Sequence, residues 1–135
     1  MGIYRCAACG AVNRVSDDAS APACTRCRRA LDTSGAAQPV DAAALASAVL
    51  ASPAPVLVDF TPPGAVCSCL DAVSGGCAGR VVCLRVDTGR EPAAVAAFEV
   101  GVPPEVVLFR RGHAALRRGA PAPGDLERWL SDPGL

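Results

Sequence analysis

Lysine is absent from this chain. All 13 basic side chains are arginine, and 13 acidic ones balance them to a formal net charge of zero. A chain with no net charge has no general pull toward nucleic acid or an anionic membrane. The missing lysine, beside abundant alanine, glycine and proline, reads as a GC-rich coding bias. Aromatic residues are scarce too, at 4%. In the first thirty residues only Tyr4 is available to stack on a base, which argues against single-strand nucleic-acid binding there. No apolar run approaches the ~20 residues a membrane span needs. No uninterrupted apolar segment opens the chain, and two cysteines appear by residue 9. A secretory signal needs such a segment, so a cytoplasmic chain with no membrane partner is expected. Hydrophobic residues make up 51% of 135. That suffices for one packed domain with a modest appendage and excludes global disorder.

What the chain does have is eight cysteines. In a reducing compartment they point to metal ligands or cycling thiols more than to structural disulfides. Cys6-Ala7-Ala8-Cys9 is followed, after fourteen residues, by Cys24-Thr25-Arg26-Cys27. Each C-x-x-C turn aims two sulfurs at one point, and two turns complete a tetrahedron suited to Zn2+. All four positions are filled, so the predicted zinc site is structural. Residues 1–30 hold few large apolar side chains, chiefly Ile3, Tyr4, Val12 and Val15. Such a segment cannot fold by burial alone, and metal binding would supply on the order of 10 kcal/mol. Two unrelated thiol pairs, or two C-x-x-C redox motifs, are the alternative. The five local arginines read as the solvated surface of a zinc ribbon.

Residues 31–39, "LDTSGAAQP", are small, polar and punctuated, and read as a linker. Residues 40–135 then alternate strand and helix patterns. Asp41 is a candidate N-cap for a helix ending near Ser52. Pro55–Phe60 and Arg80–Asp87 read as buried strands, and Pro92–Phe98 as a short helix opened by proline. Glu105–Arg110 is a third strand, turning at Arg111-Gly112-His113 into a hairpin partner, Ala114–Arg118. An amphipathic helix over Gly124–Asp132 carries Leu126, Trp129 and Leu130. This order predicts an α/β sandwich around a mixed sheet.

The order of segments resembles the thioredoxin family, and the four-cysteine start resembles its zinc-ribbon-containing bacterial subtype. "PVLVDF" looks like the strand feeding the redox site. "LRVDTGREPAAVAAFEVGVPPEVVLFRRG" is similar to the run from central strand through a cis-proline to the hairpin, and "GAPAPGDLERWL" to the closing turn and helix. The resemblance implies a thioredoxin-like three-layer sandwich and disulfide exchange with protein disulfide substrates, with a thioredoxin-reductase-type electron donor. It implies that Asp59 relays protons beneath the redox thiols. It makes Pro104 the cis-proline facing them, and an X-Pro bond adopts that form at little cost.

Three departures accompany it. The family's Trp-Cys-Gly-Pro-Cys motif is missing. A gapless overlay puts Gly64 at the tryptophan and Ala65 and Ser68 at the cysteines, whereas the chain offers Cys67 and Cys69 in "VCSCL". Helical positions i and i+2 lie about 200° apart, so a Cys-Ser-Cys disulfide needs non-helical backbone and is expected to be strained and oxidising. Only ten residues separate Cys69 from Arg80, leaving the following helix about two turns short. Pro103 lacks the N–H that would bind an extended substrate, a loss of about 0.5–1.5 kcal/mol. Cys67, nearer the loop, is the expected attacking thiol and Cys69 the resolving one. Cys83, inside a strand, reads as a small buried hydrophobe. A second metal or iron–sulfur site from Cys67, Cys69, Cys77 and Cys83 is the less favoured alternative. The expectation is a divergent thiol–disulfide oxidoreductase. The alternatives are an inactive thioredoxin-fold binding module and a zinc-linked redox sensor.

Overall fold

The computed structural model describes residues 1–131. Two short strands, β1 (Gly2–Arg5) and β2 (Val12–Val15), pair antiparallel and open the chain. The rest builds one five-stranded sheet. Its strands are β3 (Gln38–Pro39), β4 (Val56–Thr61), β5 (Val82–Asp87), β6 (Glu105–Arg110) and β7 (His113–Gly119). Their spatial order is β3-β5-β4-β6-β7. β3, β5 and β4 run parallel, while β6 and β7 run antiparallel to their neighbours. Among the described residues, four α-helices accompany the sheet: α1 (Ala42–Ala51), α2 (Ser74–Cys77), α3 (Pro92–Ala97) and α4 (Pro123–Leu130).

The alternation of β4 decides what each face holds, because successive side chains leave a strand on opposite sides. Val56, Val58 and Phe60 join Leu45, Val49, Leu84 and Phe109 in one core. Leu57 joins Leu70, Val73, Val106, Leu108 and Leu126 in the other. Asp59 shares the parity of Leu57 and is therefore carried toward the second face, where it is 1% exposed. All of β4 is buried, as expected for a central strand covered on both sides. β7, at the open edge of the sheet, is exposed along its whole length.

Sequence boundaries and observed ones agree closely for α1. Asp41 accepts a hydrogen bond from the Ala44 amide at 2.8 Å, and the helix stops at Ser52. Asp132, expected in the last helix, lies outside the described residues. The stretch read as a linker is packed against the domain. Gln38–Pro39 pairs with Leu84–Arg85. Gly35 lies so close to α2 that a Cβ there would meet the Ser74 carbonyl at 2.1 Å. The N-terminal module is docked rather than free. Ile3 N–H donates to the Gly79 carbonyl at 2.9 Å. Arg5 and Gln38 exchange two bonds, Nη1 to Oε1 at 2.7 Å and Nε2 to the Arg5 carbonyl at 2.9 Å.

Candidate functional site

The four N-terminal cysteines meet. Their sulfurs lie within 4.8 Å of one another. Cys6–Cys27 and Cys9–Cys24 are each 3.6 Å apart. A tetrahedral ion with metal–sulfur bonds of ~2.3 Å needs sulfur separations of roughly 3.8 Å, so the donor set fits one metal ion. The two turns have the same build. Gly10 N–H closes the first on the Cys6 carbonyl at 2.8 Å, and Arg28 N–H closes the second on the Cys24 carbonyl at 2.9 Å. Both closing residues are left-handed, at φ 80° and 71°. Glycine adopts this freely, whereas for an L side chain it costs about 1–2 kcal/mol.

Backbone amides converge on the sulfurs. The Cys27 amide, with those of Arg26 and the Asn13 side chain, draws the Cys24 thiol down to about 6 despite some desolvation. Desolvation opposes ionisation of Cys6, but the Cys9 and Ala8 amides and the neighbouring thiols bring it below the ordinary value. No sequence pattern marks Asn13 as part of this site. Buried at 4% exposure, it donates to Cys24 Sγ at 3.6 Å and accepts from the Thr25 amide at 3.0 Å, tying β2 to the second turn.

The second constellation sits where β4 ends. Register puts Phe60 opposite Glu105. Pro104 therefore precedes β6 at the sheet end from which the loop carrying Cys67 leaves. The Pro103–Pro104 bond is cis, as expected from the sequence. Its Pro104 carbonyl accepts from the Ala120 amide at 2.8 Å. Cys67 is exposed and Cys69 half-buried, both as free thiols. In place of a long helix, Cys69–Val73 forms a 3₁₀ turn, and a single α-helical turn, α2, follows.

Asp59 organises this loop through one oxygen. Its Oδ2 accepts from Ser68 Oγ at 2.6 Å, from the Cys69 amide at 3.1 Å and from the Cys69 thiol at 3.4 Å. Its Oδ1 is buried with no hydrogen-bond partner among the described residues. Burial, then the Asp59 charge, pushes the Cys69 thiol up to about 12. Ser68 also caps the 3₁₀ turn. Its hydroxyl accepts from the Leu70 amide at 3.1 Å, while Asp71 accepts from the Ser68 amide at 3.2 Å. This reciprocal pair is a capping box. The Ser68-x-x-Asp71 spacing was the available signal for it.

Cys77 and Cys83 lie buried in the second core as neighbours. The Cys83 thiol, outweighing burial, lowers Cys77; the Cys77 thiol and then burial raise Cys83. Among the described residues, Cys6, Cys9, Cys24 and Cys27 alone are gathered closely enough to share a metal ion, so the second cluster considered from sequence does not form. His113 is exposed on β7. No helix among the described residues is long and apolar enough to cross a membrane.

No family model matches the chain, and no curated protein matches it. Solved structures do. A cysteine-to-serine mutant of Entamoeba histolytica thioredoxin superposes with a TM-score of 0.60 at 15% identity, over 70% of this chain and 97% of that one. A designed protein superposes with a TM-score of 0.59 at 19% identity, over 70% of this chain and 93% of its own. The chain has a thioredoxin-like fold, preceded by a four-cysteine cluster able to hold a metal ion.

Proposed function

We propose that the chain is a divergent thiol–disulfide oxidoreductase of protein substrates, acting through Cys67 and Cys69 on a scaffold fastened by a structural Zn2+ at Cys6, Cys9, Cys24 and Cys27. The supporting observation is the contact of the buried Asp59 carboxylate with Cys69 Sγ and the Cys69 amide, two residues beyond an exposed Cys67. The Cys67 thiolate attacks one sulfur of the substrate disulfide. The substrate S–S bond breaks, a mixed disulfide forms, and the leaving thiolate takes a proton from solvent. Cys69, raised by burial, keeps its proton until this stage. It then passes the proton to Asp59 and attacks the Cys67 sulfur, releasing the second substrate thiol. Two electrons leave the dithiol, and a reductase-type partner in a reducing compartment such as the cytoplasm returns them. Zinc takes no part in the exchange and supplies folding free energy. Pro103 and Pro104 would form the platform on which an extended substrate lies.

A second reading, a recognition module without turnover, draws on two other observations. Ser68 lies closer to Asp59 than the Cys69 thiol does. Val66 and Val102, each next to a predicted site segment, are 91% and 86% exposed. Insulin reduction with wild type and with Cys67→Ser/Cys69→Ser decides between them. Turnover lost in the double variant supports the enzyme, and equal rates support the module. Mass spectrometry after mild oxidation adds a second criterion, because the enzyme must lose two hydrogens in the peptide holding both thiols.

A further inference from the structure

A cavity of about 500 Å³ opens beside the loop that carries the thiols. Its walls include Thr61, Gly64, Val66, Arg85, Asp87 and Arg90. The volume falls within the range of small-ligand sites. It lies where the resemblance would place a tryptophan. Gly64 stands there instead, and a Cβ built on it meets nothing within 4 Å. Cys67 is the next residue after Val66, one residue length of at most ~3.6 Å along the chain, and is exposed.

The charged groups of the lining are not equally occupied. Its three acids each hold a backbone amide. Asp41 holds that of Ala44, Glu91 that of Ala42, and Asp87 those of Gly64 and Gly89. The cations are held less well. Arg85 Nη1 makes one long bond, 3.4 Å to the Val66 carbonyl, and Arg90 reaches Asp87 only at 3.9 Å. A guanidinium presents five donors in a fork matched to a carboxylate, so most of this donor capacity is left over for a ligand at the cavity. With acids alongside, the lining suits a group carrying both a carboxylate and an ammonium.

We infer that this cavity binds the amino-acid-like, carboxylate-bearing arm of a small disulfide and presents its sulfur to Cys67. The chemistry rests on the oxidoreductase reading above, while the binding does not. Turnover follows the exchange already written, with the small disulfide as the species reduced and two small thiols as products.

The test uses the full, zinc-loaded chain. Oxidised glutathione is titrated into Cys67→Ser/Cys69→Ser, which lacks both loop thiols, and backbone amide shifts are followed by NMR. Saturable shifts at Gly64, Val66 and Arg85 are expected. Adding Arg85→Ala, or separately the exposed Arg90→Ala, weakens binding about tenfold, as expected for a lost charge-assisted bond. Shifts elsewhere, no saturation, or affinity indifferent to both arginine variants overturns the site. In the reactive protein, Arg85→Ala lowers kcat/KM for oxidised glutathione relative to that for bis(hydroxyethyl) disulfide, which has no carboxylate. An unchanged ratio also overturns it. If neither disulfide is turned over while oxidised glutathione still shifts Gly64, the oxidoreductase reading falls and the site stands.

Discussion

Ser68→Ala should cost more than its small size suggests. The Ser68 hydroxyl works in both directions, donating to Asp59 at 2.6 Å and accepting from the Leu70 amide at 3.1 Å. A hydrogen bond to a carboxylate contributes about 1.5–3 kcal/mol, and an N-cap about 1 kcal/mol. The predicted loss is therefore about 2.5–4 kcal/mol, a large part of the 5–15 kcal/mol typical of a domain. Little can compensate. The remaining donors to Oδ2 are longer, and Oδ1 has no partner among the described residues. Urea unfolding of the zinc-loaded chain, followed by circular dichroism, should show a lower midpoint at unchanged slope. Repeating the substitution in Asp59→Asn should recover about 1.5 kcal/mol or more as coupling. A loss below about 1 kcal/mol, or equal losses in both backgrounds, refutes the claim that this hydroxyl anchors the thiol loop.

Other outcomes follow from other parts of the molecule. The Cys69 thiol sits at about 12 against an ordinary 9.0, so the folded chain keeps a proton that the unfolded chain releases. Its contribution to stability is whole below pH 9 and declines as pH rises toward 12; thermal melts should show that slope, flattened in Cys69→Ser. At pH 8 only about one Cys69 in ten thousand is a thiolate, so mass-resolved alkylation should modify Cys67 long before Cys69. Chelation of zinc should unfold the N-terminal module, and Asn13→Leu, removing the side chain that bridges β2 to the second turn, should weaken metal affinity about 10–100-fold in a competition titration. Gly35→Ala forces a Cβ against the Ser74 carbonyl at φ 80°; calorimetry should register a loss of about 2 kcal/mol or more.

The legible parts of the sequence were those where one local rule acts alone. Cys6, Cys9, Cys24 and Cys27 announce themselves because four sulfurs around one ion demand a fixed spacing. The α1 cap at Asp41 and the apolar run Val56–Phe60 follow from helix-end chemistry and burial. What escaped depends on distant contacts. Gly35 and Gln38 look like linker residues until α2 and β5 are placed against them. Asn13 resembles any turn asparagine, and its role appears only when β2 meets the second knuckle. Ser68 had a local signal, the S-x-x-D pattern. That pattern tells of the cap alone, because the Ser68 bond to Asp59 spans nine residues. The cavity beside Gly64 is an absence of side chain, which only the surrounding fold can turn into a volume.

The sheet's two borders are managed by different means. At β3 the paired stretch is two residues long and ends in proline, and the Arg5–Gln38 exchange brings the metal-bearing module against it. A foreign strand finds no free ladder there. β7 offers seven residues of open edge, and its deterrents are Arg117 and Arg118. Both engage acids on neighbouring elements, Glu105 and Asp125. Self-association of this protein should therefore begin at β7, and should be promoted by anything that neutralises those two guanidinium groups.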